Sequence, residues 1–416
     1  MSSTSHIAVI GAGIVGLSTA LWLQRYGQQV TIIDKGLPGM GASFGNAGVF
    51  ADYACLPFAR RETLYQLPSM LMDKQGPLAI QGRYLTNLMP YGVEYLKACQ
   101  PKRYEAGCSA LAQLLQAAPA ADSILLDSTG TESLITRSGS LAVFDTKASF
   151  EQARQGQMQD RQRYHVNLRY LTADEIQALE PSLAPFYAGG VLYPDTYHTI
   201  EPAKLCQQYA DTFQKNGGTL LQANIETLMP IHGKTSIKLQ AQGESWQFDK
   251  VVLATGIHSK ILLKPLGVTV PLVSERGYHL ELEAEENELT RPVSWLNKSV
   301  FLTPMANRIR VAGVAEFAHE NAPENKQKSQ NLRCFSQQML GRPTKQIGHW
   351  IGSRPSTPDS LPIIGPAPNH PNIILAFGHG HLGLTLGSIT GKLVAEQLTG
   401  QLETLDIAPF SLSRFQ

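Results

Sequence analysis

Three glycines near the start of the chain have the spacing of a turn that binds the pyrophosphate of a dinucleotide. Gly11, Gly13 and Gly16 form the pattern G-x-G-x-x-G, and Asp34 ends the apolar run that comes next. One glycine permits the tight bend, one lets backbone N–H groups approach the phosphates, and one lets a helix pack against a strand. Asp34 is placed to accept hydrogen bonds from a ribose. We therefore predict a dinucleotide site, because the alternative of a glycine-rich turn in another α/β protein leaves Asp34 unexplained.

An arginine near the C-terminus has the chemistry to bind a carboxylate. Arg354 stands in the segment Gly352-Ser-Arg-Pro-Ser-Thr-Pro-Asp359, whose glycine and prolines predict a rigid turn beside a domain boundary. A guanidinium is permanently charged, and its planar set of donors matches the two oxygens of a carboxylate. We predict that Arg354 binds an acidic group of the substrate. The alternative is a structural ion pair with Asp359.

Two histidines lie in a glycine-rich stretch, Gly378-His-Gly-His-Leu-Gly383. His379 and His381 are the two histidines whose spacing suggests a metal site, but ligands two residues apart without a third partner make a poor one. We predict no metal. Instead we expect one histidine beside the cofactor or the substrate and the other in a structural role.

The elements that must position these residues follow from the apolar pattern. Residues 7–10, 30–33 and 251–253 are short apolar runs of the kind that form buried parallel strands. Residues at helical spacing fill the interval between the first two runs and end before Gly27. The third run enters Ala254-Thr-Gly256, where a glycine lets backbone pass close to a cofactor. The pattern predicts an α/β fold.

The remaining segments predict a second domain built from antiparallel strands. Residues 60–135 are predicted to be mainly helical, and Thr172 with Glu175 forms a capping box that starts another helix. Residues 278–282, 300–303 and 309–314 are predicted strands, and 331–340 a helix. We assign 1–75, 195–270 and 350–416 to the dinucleotide domain, and 76–194 with 271–349 to the substrate domain.

Composition excludes some classes of function. The 416 residues carry a formal net charge of +1 without a block of like charges, so nothing favours nucleic acid. No apolar run approaches the roughly 20 residues that span a bilayer. The first residues lack the basic start of a signal peptide, and five scattered cysteines suit a reducing compartment, so we expect the cytoplasm.

Beyond these patterns, the segment Ser43-Phe-Gly-Asn-Ala-Gly48 resembles the Ser-x-x-Asn-x-Gly segment of flavoproteins in the D-amino-acid oxidase superfamily, especially bacterial D-amino-acid dehydrogenases. The resemblance covers nearly the whole chain. It includes Arg276-Gly-Tyr278, the Arg354 segment and residues 378–385. It implies a Rossmann-type, two-dinucleotide-binding domain with an α+β antiparallel-sheet substrate domain.

The resemblance also implies that the cofactor is FAD. The residues it assigns to the cofactor lie in the turn, the loops and the strand ends described above: Gly11, Gly13, Ile14, Val15, Gly16, Asp34, Lys35, Ser43, Asn46, Ala47, Gly48, Ile225, Ala254, Thr255, Gly256, Gly352, Gly378, Gly380, His381, Leu382, Gly383 and Thr385.

In the family, the arginine at the position of Arg354 binds the α-carboxylate of the substrate. We expect the Tyr278 hydroxyl to support it, with His379 and His381 in the same site, so that hydride passes from the substrate Cα to flavin N5. Electrons then go to a quinone, a dye or another acceptor. The alternative for Tyr278 is a packed strand aromatic, in which case His279 faces the site.

One departure from the family pattern bears on the substrate. Dehydrogenases of broad D-amino-acid specificity usually read Gly-His-Gly-x-Leu-Gly-Trp-Thr in the last segment, whereas this chain has His381 and Leu384. It looks more like the D-hydroxyproline dehydrogenase branch, which favours a cyclic imino acid of the D-proline or D-hydroxyproline type.

Three other functions stay open at this point: an oxygen-using oxidase of the glycine or sarcosine type, a FAD-binding subunit of a heteromeric dehydrogenase, and a nicotinamide enzyme. A quinone acceptor would favour loose, peripheral attachment to the inner face of a membrane through residues 56–90, although apolar residues of this kind are more often core.

Overall fold

The computed structural model describes residues 5–231, 236–241, 243–286, 288–401 and 404–416. Its helices are α1 (Ile14–Arg25), α2 (Arg61–Met72), α3 (Leu85–Ala98), α4 (Pro101–Thr129), α5 (Lys147–Gln155), α6 (Gln157–Arg163), α7 (Ala173–Leu179), α8 (Pro202–Lys215), α9 (Ser259–Leu263), α10 (Lys326–Leu340) and α11 (Gly383–Thr399).

The strands are β1 (His6–Ile10), β2 (Gln29–Asp34), β3 (Val49–Phe50), β4 (Leu78–Ile80), β5 (Ile135–Thr136), β6 (Ser140–Phe144), β7 (Arg169–Leu171), β8 (Gly189–Tyr193), β9 (Tyr197–Thr199), β10 (Thr219–Gln222), β11 (Thr227–Pro230), β12 (Ile237–Ala241), β13 (Glu244–Phe248), β14 (Lys250–Leu253), β15 (Val273–Glu283), β16 (Val293–Trp295), β17 (Val300–Met305), β18 (Arg308–Phe317), β19 (Gln346–Ser356), β20 (Ile363–Ala367) and β21 (His370–Phe377).

The first sheet has the strand order β10-β2-β1-β14-β21-β20, and all pairs except β20 with β21 are parallel. The inner strands β1 and β14 are mostly apolar because both faces are covered, whereas the edge strand β10 is partly exposed. Ile7 and Val9 pack in the core shared with α1, α4, α8 and α11, whereas Ala8 and Ile10 face the core under β11–β13. The period of two in a strand produces this division.

The second sheet has the order β19-β15-β18-β17-β16-β6-β8-β7, with β4 beside β18. Most of its pairs are antiparallel, and helix α10 packs on one face through Leu332, Phe335 and Met339. The predicted combination of a Rossmann-type α/β domain with an antiparallel α+β domain is confirmed.

Two segments, β19 and α4, do not follow the predicted domain boundaries. Strand β19 belongs to the second sheet up to residue 356, so the expected boundary at 350 falls inside it. Helix α4, which we expected in the substrate domain, packs Leu111, Leu114 and Leu115 into the core of the first sheet. An apolar stripe on a helix shows that the helix is buried but not which sheet it packs against.

Helices α2 and α3 correct one expectation about the core. The structure leaves Tyr65 84% exposed and Met89 72% exposed, so part of the apolar set in 56–90 faces outward. No helix within the described residues combines the length and the apolar character that crossing a bilayer requires.

Candidate active site

The carboxyl ends of the parallel strands form a backbone-lined cradle. Gly11 follows β1 with φ +108°, and a Cβ there would lie 2.5 Å from the Ala254 carbonyl oxygen that follows β14. A Cβ on Gly16 would lie 1.9 Å from the Gly11 carbonyl oxygen. Gly13 is the N-cap of α1 and gives its amides no side-chain cap. Amides at a helix N-terminus attract a phosphate, so this turn fits a pyrophosphate.

The acidic residue at the end of β2 lies beside this turn. Asp34 Oδ2 accepts a hydrogen bond from the Ala12 amide at 2.6 Å, and Oδ1 accepts one from the Gly36 amide at 2.8 Å. A carboxylate has about four acceptor sites, so Asp34 retains capacity for ribose hydroxyls. The neighbouring Lys35 Nζ lies 3.1 Å from His258 Nε2.

Other predicted cofactor residues lie at the same edge of the sheet. Ile225 follows β10, which is paired in parallel with β2, and its side chain is buried under β11–β13. Thr255 follows β14, and its hydroxyl is 2.9 Å from that of Ser259. Gly256 has φ +56° and starts a helical turn before α9.

The first glycine loop (residues 43–48) is held by both domains. Ser43 Oγ accepts a hydrogen bond from the Ile14 amide at 3.0 Å. Arg310 Nη1 donates to the carbonyl oxygens of Phe44 at 2.9 Å and Asn46 at 2.6 Å, and His279 Nδ1 lies 3.3 Å from that of Gly45. Three consecutive carbonyls are thus held by the second sheet, which fixes the loop against the start of α1.

The guanidinium that holds this loop is buried and paired. Arg310 is 2% exposed, and its Nη2 lies 2.6 Å from Glu281 Oε1. Burial first, and the charge of Arg310 next, lower the pKa of His279 to about 3, so this imidazole is neutral at physiological pH. Arg310 was not among the residues predicted from the sequence. The available signal was Arg308-Ile-Arg310, two arginines on one face of an apolar strand.

The second glycine loop (residues 378–383) leads into α11. Gly378 and Gly380 have φ +81° and +53°, which favour glycine. The Leu382 side chain is buried in the core that the first sheet shares with α1, α4, α8 and α11. The Thr385 hydroxyl accepts a hydrogen bond from the Ala51 amide at 3.0 Å. Leu384 also packs in this core, so of the two departures from the family pattern only His381 faces outward.

The two histidines of this loop have different surroundings. His379 is 4% exposed, its Nε2 lies 2.9 Å from the Thr390 hydroxyl, and burial lowers its pKa to about 3. The His381 side chain is exposed, and its ring lies 5.0 Å from that of Phe58. We call the region bordered by these two rings, Tyr91 and the Glu275–Arg354 pair the cleft. No three potential metal ligands cluster within the described residues.

One face of the β15–β19 pair connects the two glycine loops. The register pairs Glu275 with Arg354, Gly277 with Gly352, and His279 with Trp350, and alternate residues share a face. The Trp350 ring occupies the space that side chains on Gly45 and Gly352 would need. At the other end, a Cβ on Gly380 would lie 3.6 Å from Ser356 Oγ.

Arg354 lies on this face between the loops. Its guanidinium rests on Gly277, where a Cβ would be 2.4 Å from Nη2. Nη1 donates to Glu275 Oε1 and to the Val314 carbonyl, both at 3.0 Å. Val314 has φ +66°, a strained value for a β-branched residue, and lies where β18 carries one residue more than the β15 segment it pairs with.

The ion pair that Arg354 makes differs from the alternative considered from the sequence. Asp359 binds Arg414 Nε at 2.7 Å, whereas the partner of Arg354 is Glu275. Glu275, which stands three residues before Tyr278 in the same strand, was not among the residues predicted from the sequence. Glu275 and Arg354 meet because β15 pairs with β19 in a register that places them opposite each other. Their positions along the chain do not predict this contact.

Tyr278 requires a correction. It lies on the opposite face of β15 from Arg354, in the core under α10. Its hydroxyl donates to Glu316 Oε2 at 2.6 Å and accepts from the Asn325 amide at 3.1 Å. Successive side chains of a strand point to opposite faces, so Tyr278 points away from the face that carries Gly277 and His279. Tyr278 is therefore a packed strand aromatic, and the expectation that its hydroxyl supports Arg354 is wrong.

These features together fit a flavin dinucleotide. The turn offers amides to phosphates, Asp34 offers acceptors to a ribose, and the two glycine loops border the face that carries Arg354. The cradle is lined by backbone where side chains would obstruct it.

Comparison with known sequences agrees with this geometry. The sequence model of the family described as FAD dependent oxidoreductase matches residues 6–397. A D-amino-acid oxidase from Bradyrhizobium diazoefficiens is 33% identical over 432 residues, covering 100% of both chains. A D-amino acid dehydrogenase from Vibrio vulnificus is 29% identical, covering 94% of this chain and 95% of its own.

Solved structures share the fold. Glycine oxidase from Geobacillus kaustophilus has a TM-score of 0.73 at 21% identity, covering 99% of both chains. L-proline dehydrogenase from P. horikoshii has a TM-score of 0.76 at 16% identity, covering 100% of this chain and 98% of its own. Since the family match extends over most of its length, the chain belongs to the FAD dependent oxidoreductases and its cofactor is FAD.

Proposed function

We propose that this enzyme oxidises a D-amino acid or a cyclic imino acid and passes the electrons to a quinone or another acceptor. The observation that carries the proposal is the placement of Arg354 between the two glycine loops, with its guanidinium flat on Gly277. A substrate carboxylate bound there is held beside both loops. Both curated relatives carry names of D-amino-acid oxidation, which supports the substrate class.

The chain contributes binding and orientation, while FAD supplies the acceptor for two electrons. Arg354 fixes the acidic group of the substrate, and holding it in one orientation reduces the entropy cost of reaction. Phe58 and His381 form one side of the cleft, with ring centroids 5.0 Å apart. Tyr91, whose hydroxyl donates to the Thr357 carbonyl at 3.3 Å, forms another. Aromatic side chains beside the charged Arg354 suit a substrate whose carboxylate is followed by a compact apolar side chain or ring.

We expect a cyclic imino acid of the D-proline or D-hydroxyproline type to be the preferred substrate. His381, which departs from the family pattern, borders the cleft next to Phe58. Anaerobic reduction of the flavin, screened over D- and L-proline, the hydroxyproline isomers, D-alanine and sarcosine, tests this preference. Equal or faster reduction by D-alanine would contradict it.

The carboxylate role of Arg354 is tested by Arg354→Leu. The variant should raise KM by about 100-fold or more, since two charge-assisted hydrogen bonds contribute about 3 kcal/mol and 1.4 kcal/mol corresponds to a factor of ten. Bound FAD, measured by its visible absorbance, should stay at the wild-type level. Arg333→Leu removes an exposed arginine of α10 and serves as the control. Unchanged kinetics in Arg354→Leu would reject the proposal.

The electron acceptor distinguishes the remaining alternatives. A dehydrogenase reduces a quinone or dye and reacts slowly with oxygen, whereas a glycine- or sarcosine-type oxidase releases hydrogen peroxide in air. Peroxide formation at the rate of flavin reduction would favour the oxidase. A flavin that no amino or imino acid reduces would favour the FAD-binding subunit of a heteromeric dehydrogenase.

We also propose that α2 and α3 attach the enzyme loosely to a lipid surface. Leu85, Met89, Val93 and Leu96 form an exposed apolar stripe along α3. The opposite side of this helix carries Tyr91, which borders the cleft. A quinone dissolved in the lipid would therefore lie near the site. Exposed Arg61 and Lys74 each stand next to one acidic residue, Glu62 and Asp73, so we expect apolar insertion to contribute more to binding than charge does.

A further inference from the structure

A carboxylate lies directly against the arginine that the proposed function assigns to the substrate. Glu275 Oε1 accepts from Arg354 Nη1 at 3.0 Å, and Glu275 Oε2 accepts from Ser356 Oγ at 2.8 Å. The Glu275 side chain is 15% exposed and that of Arg354 is 25% exposed, so both reach the cleft. Each Glu275 oxygen retains one of its two acceptor sites.

This arrangement presents two opposite charges side by side on one face of a sheet. A ligand with a carboxylate alone must compete with Glu275 for the guanidinium, and it also meets the repulsion of a like charge. An amino acid carries a carboxylate and an ammonium group on the same carbon, and it satisfies both side chains. The pair therefore has the charge pattern of a zwitterion.

We infer that Glu275 binds the ammonium group of the substrate and accepts a proton from it, while Arg354 holds the carboxylate. This inference rests on the proposed function. The N–H bond of the ammonium group breaks, the O–H bond on Glu275 forms, and the electron pair stays on nitrogen as a neutral amine. Only the neutral amine has the lone pair that forms the C=N bond when Cα loses hydride.

The other groups that face Glu275 do not serve as this acceptor. His381, next to Phe58, carries no negative charge in either protonation state, so it offers an ammonium group no ion pair. Tyr91 keeps its proton, since burial first and the charge of Glu275 next hold its pKa well above the ordinary value. Asp359 is occupied by Arg414. Among these described groups, Glu275 is the anion available at the cleft.

The test compares two ligands of the FAD-loaded enzyme that differ only in the amino group. 2-Aminoisobutyrate has no hydrogen on Cα and binds without reacting, and isobutyrate is its counterpart without the amine. Calorimetry gives the affinity of each. We expect the wild type to prefer 2-aminoisobutyrate, and Glu275→Gln to weaken it by about 10-fold while tightening isobutyrate by about 3-fold. The opposite signs distinguish substrate recognition from a structural role, which would weaken both ligands.

Two further variants keep the result decisive. Glu283→Gln, on the same strand but exposed and paired with Lys345, should leave both affinities unchanged. Glu275→Asp restores the negative charge and should regain part of the preference for 2-aminoisobutyrate, which the neutral glutamine variant lacks. The wild-type comparison tests the inference even if Glu275→Gln folds poorly. A wild type without preference, or changes of the same sign in Glu275→Gln, would overturn it. Failure of the proposed function would instead appear as a wild-type flavin that no amino acid reduces.

Discussion

A single step along β15 separates a residue of the cleft from a residue of the core. Tyr278 is buried under α10, whereas Gly277 and His279 face the glycine loops. Chemically, a tyrosine and a histidine were both reasonable partners for Arg354. Because successive side chains of a strand point to opposite faces, Tyr278 cannot reach Arg354, whereas Glu275 lies on the same face as Arg354. The sequence patterns did not single out Glu275.

The absence of a side chain at Gly277 should be essential for substrate binding. In Gly277→Ala the new Cβ would lie 2.4 Å from Arg354 Nη2, so the guanidinium must move away. We expect KM to rise about 10- to 100-fold while bound FAD is retained, because the turn and both loops are untouched. Steady-state kinetics and the visible spectrum measure the two effects.

The control for this variant is Gly82→Ala, where nothing lies within 4 Å of the added Cβ. It should keep the wild-type KM. A Gly277→Ala enzyme with normal KM would show that Arg354 does not need its observed position.

At the scale of elements, the first glycine loop depends on a strand of the other domain. Arg310 of β18 donates to the Phe44 and Asn46 carbonyls and is paired with Glu281. The loop therefore gains its conformation from tertiary contacts in addition to its own glycines. This arrangement couples the position of the second sheet to the cofactor site.

Replacing Arg310 should weaken FAD binding. In Arg310→Met the two carbonyls lose their donor, and each lost hydrogen bond to a charged group costs about 1.5 kcal/mol or more. We expect the Kd for FAD to rise about 10- to 100-fold, measured by quenching of flavin fluorescence. Glu281 keeps its ion pair with Arg308, which limits the loss of stability.

Arg333→Met, on the exposed side of α10, provides the matched control and should bind FAD normally. An unchanged Kd in Arg310→Met would mean that the loop holds its conformation without the second sheet.

At the scale of the whole molecule, the candidate site is formed where the strand ends of the first sheet lie next to one face of the second sheet. The parallel sheet supplies the strand ends and the turn, and the β15–β19 face supplies Arg354, Glu275 and Trp350. Helices α2 and α3 lie beside this site, with an apolar surface turned outward. The proposed lipid contact would place the cleft next to the membrane surface.

The lipid contact predicts a selective effect of charge on α3. Met89→Glu combined with Val93→Glu should reduce co-sedimentation with phosphatidylcholine–phosphatidylglycerol vesicles by about 10-fold or more, since each buried side chain contributes about 1.5–3 kcal/mol. Reduction of a lipid-dissolved quinone should fall in parallel, whereas reduction of a water-soluble dye should not change. Binding should persist in high salt.

Ile261→Glu on α9 replaces another exposed apolar residue and is the control. Vesicle binding that is absent in the wild type, or equal in all three proteins, would refute attachment through α3.

The amino-acid sequence by itself determined the dinucleotide turn, because it depends on contacts between near neighbours. Gly11, Gly13 and Gly16 lie within one strand–turn–helix unit, and Asp34 follows at the end of the next strand. The buried parallel strands, several helices and the two-domain fold class follow from local periodicity in the same way. The rigid turn expected around Arg354 is instead part of strand β19. The Arg354 and His381 segments were also visible, although their partners were not.

Tertiary structure alone decided which side chains meet. Glu275 meets Arg354 and Arg310 meets the first glycine loop through strand registration and domain contact, which no spacing along the chain encodes. It also placed Tyr278 in the core, joined α4 to the first sheet and left the stripe on α3 exposed. Local patterns specify that a residue has an apolar or charged face, but only packing between distant segments specifies what that face contacts.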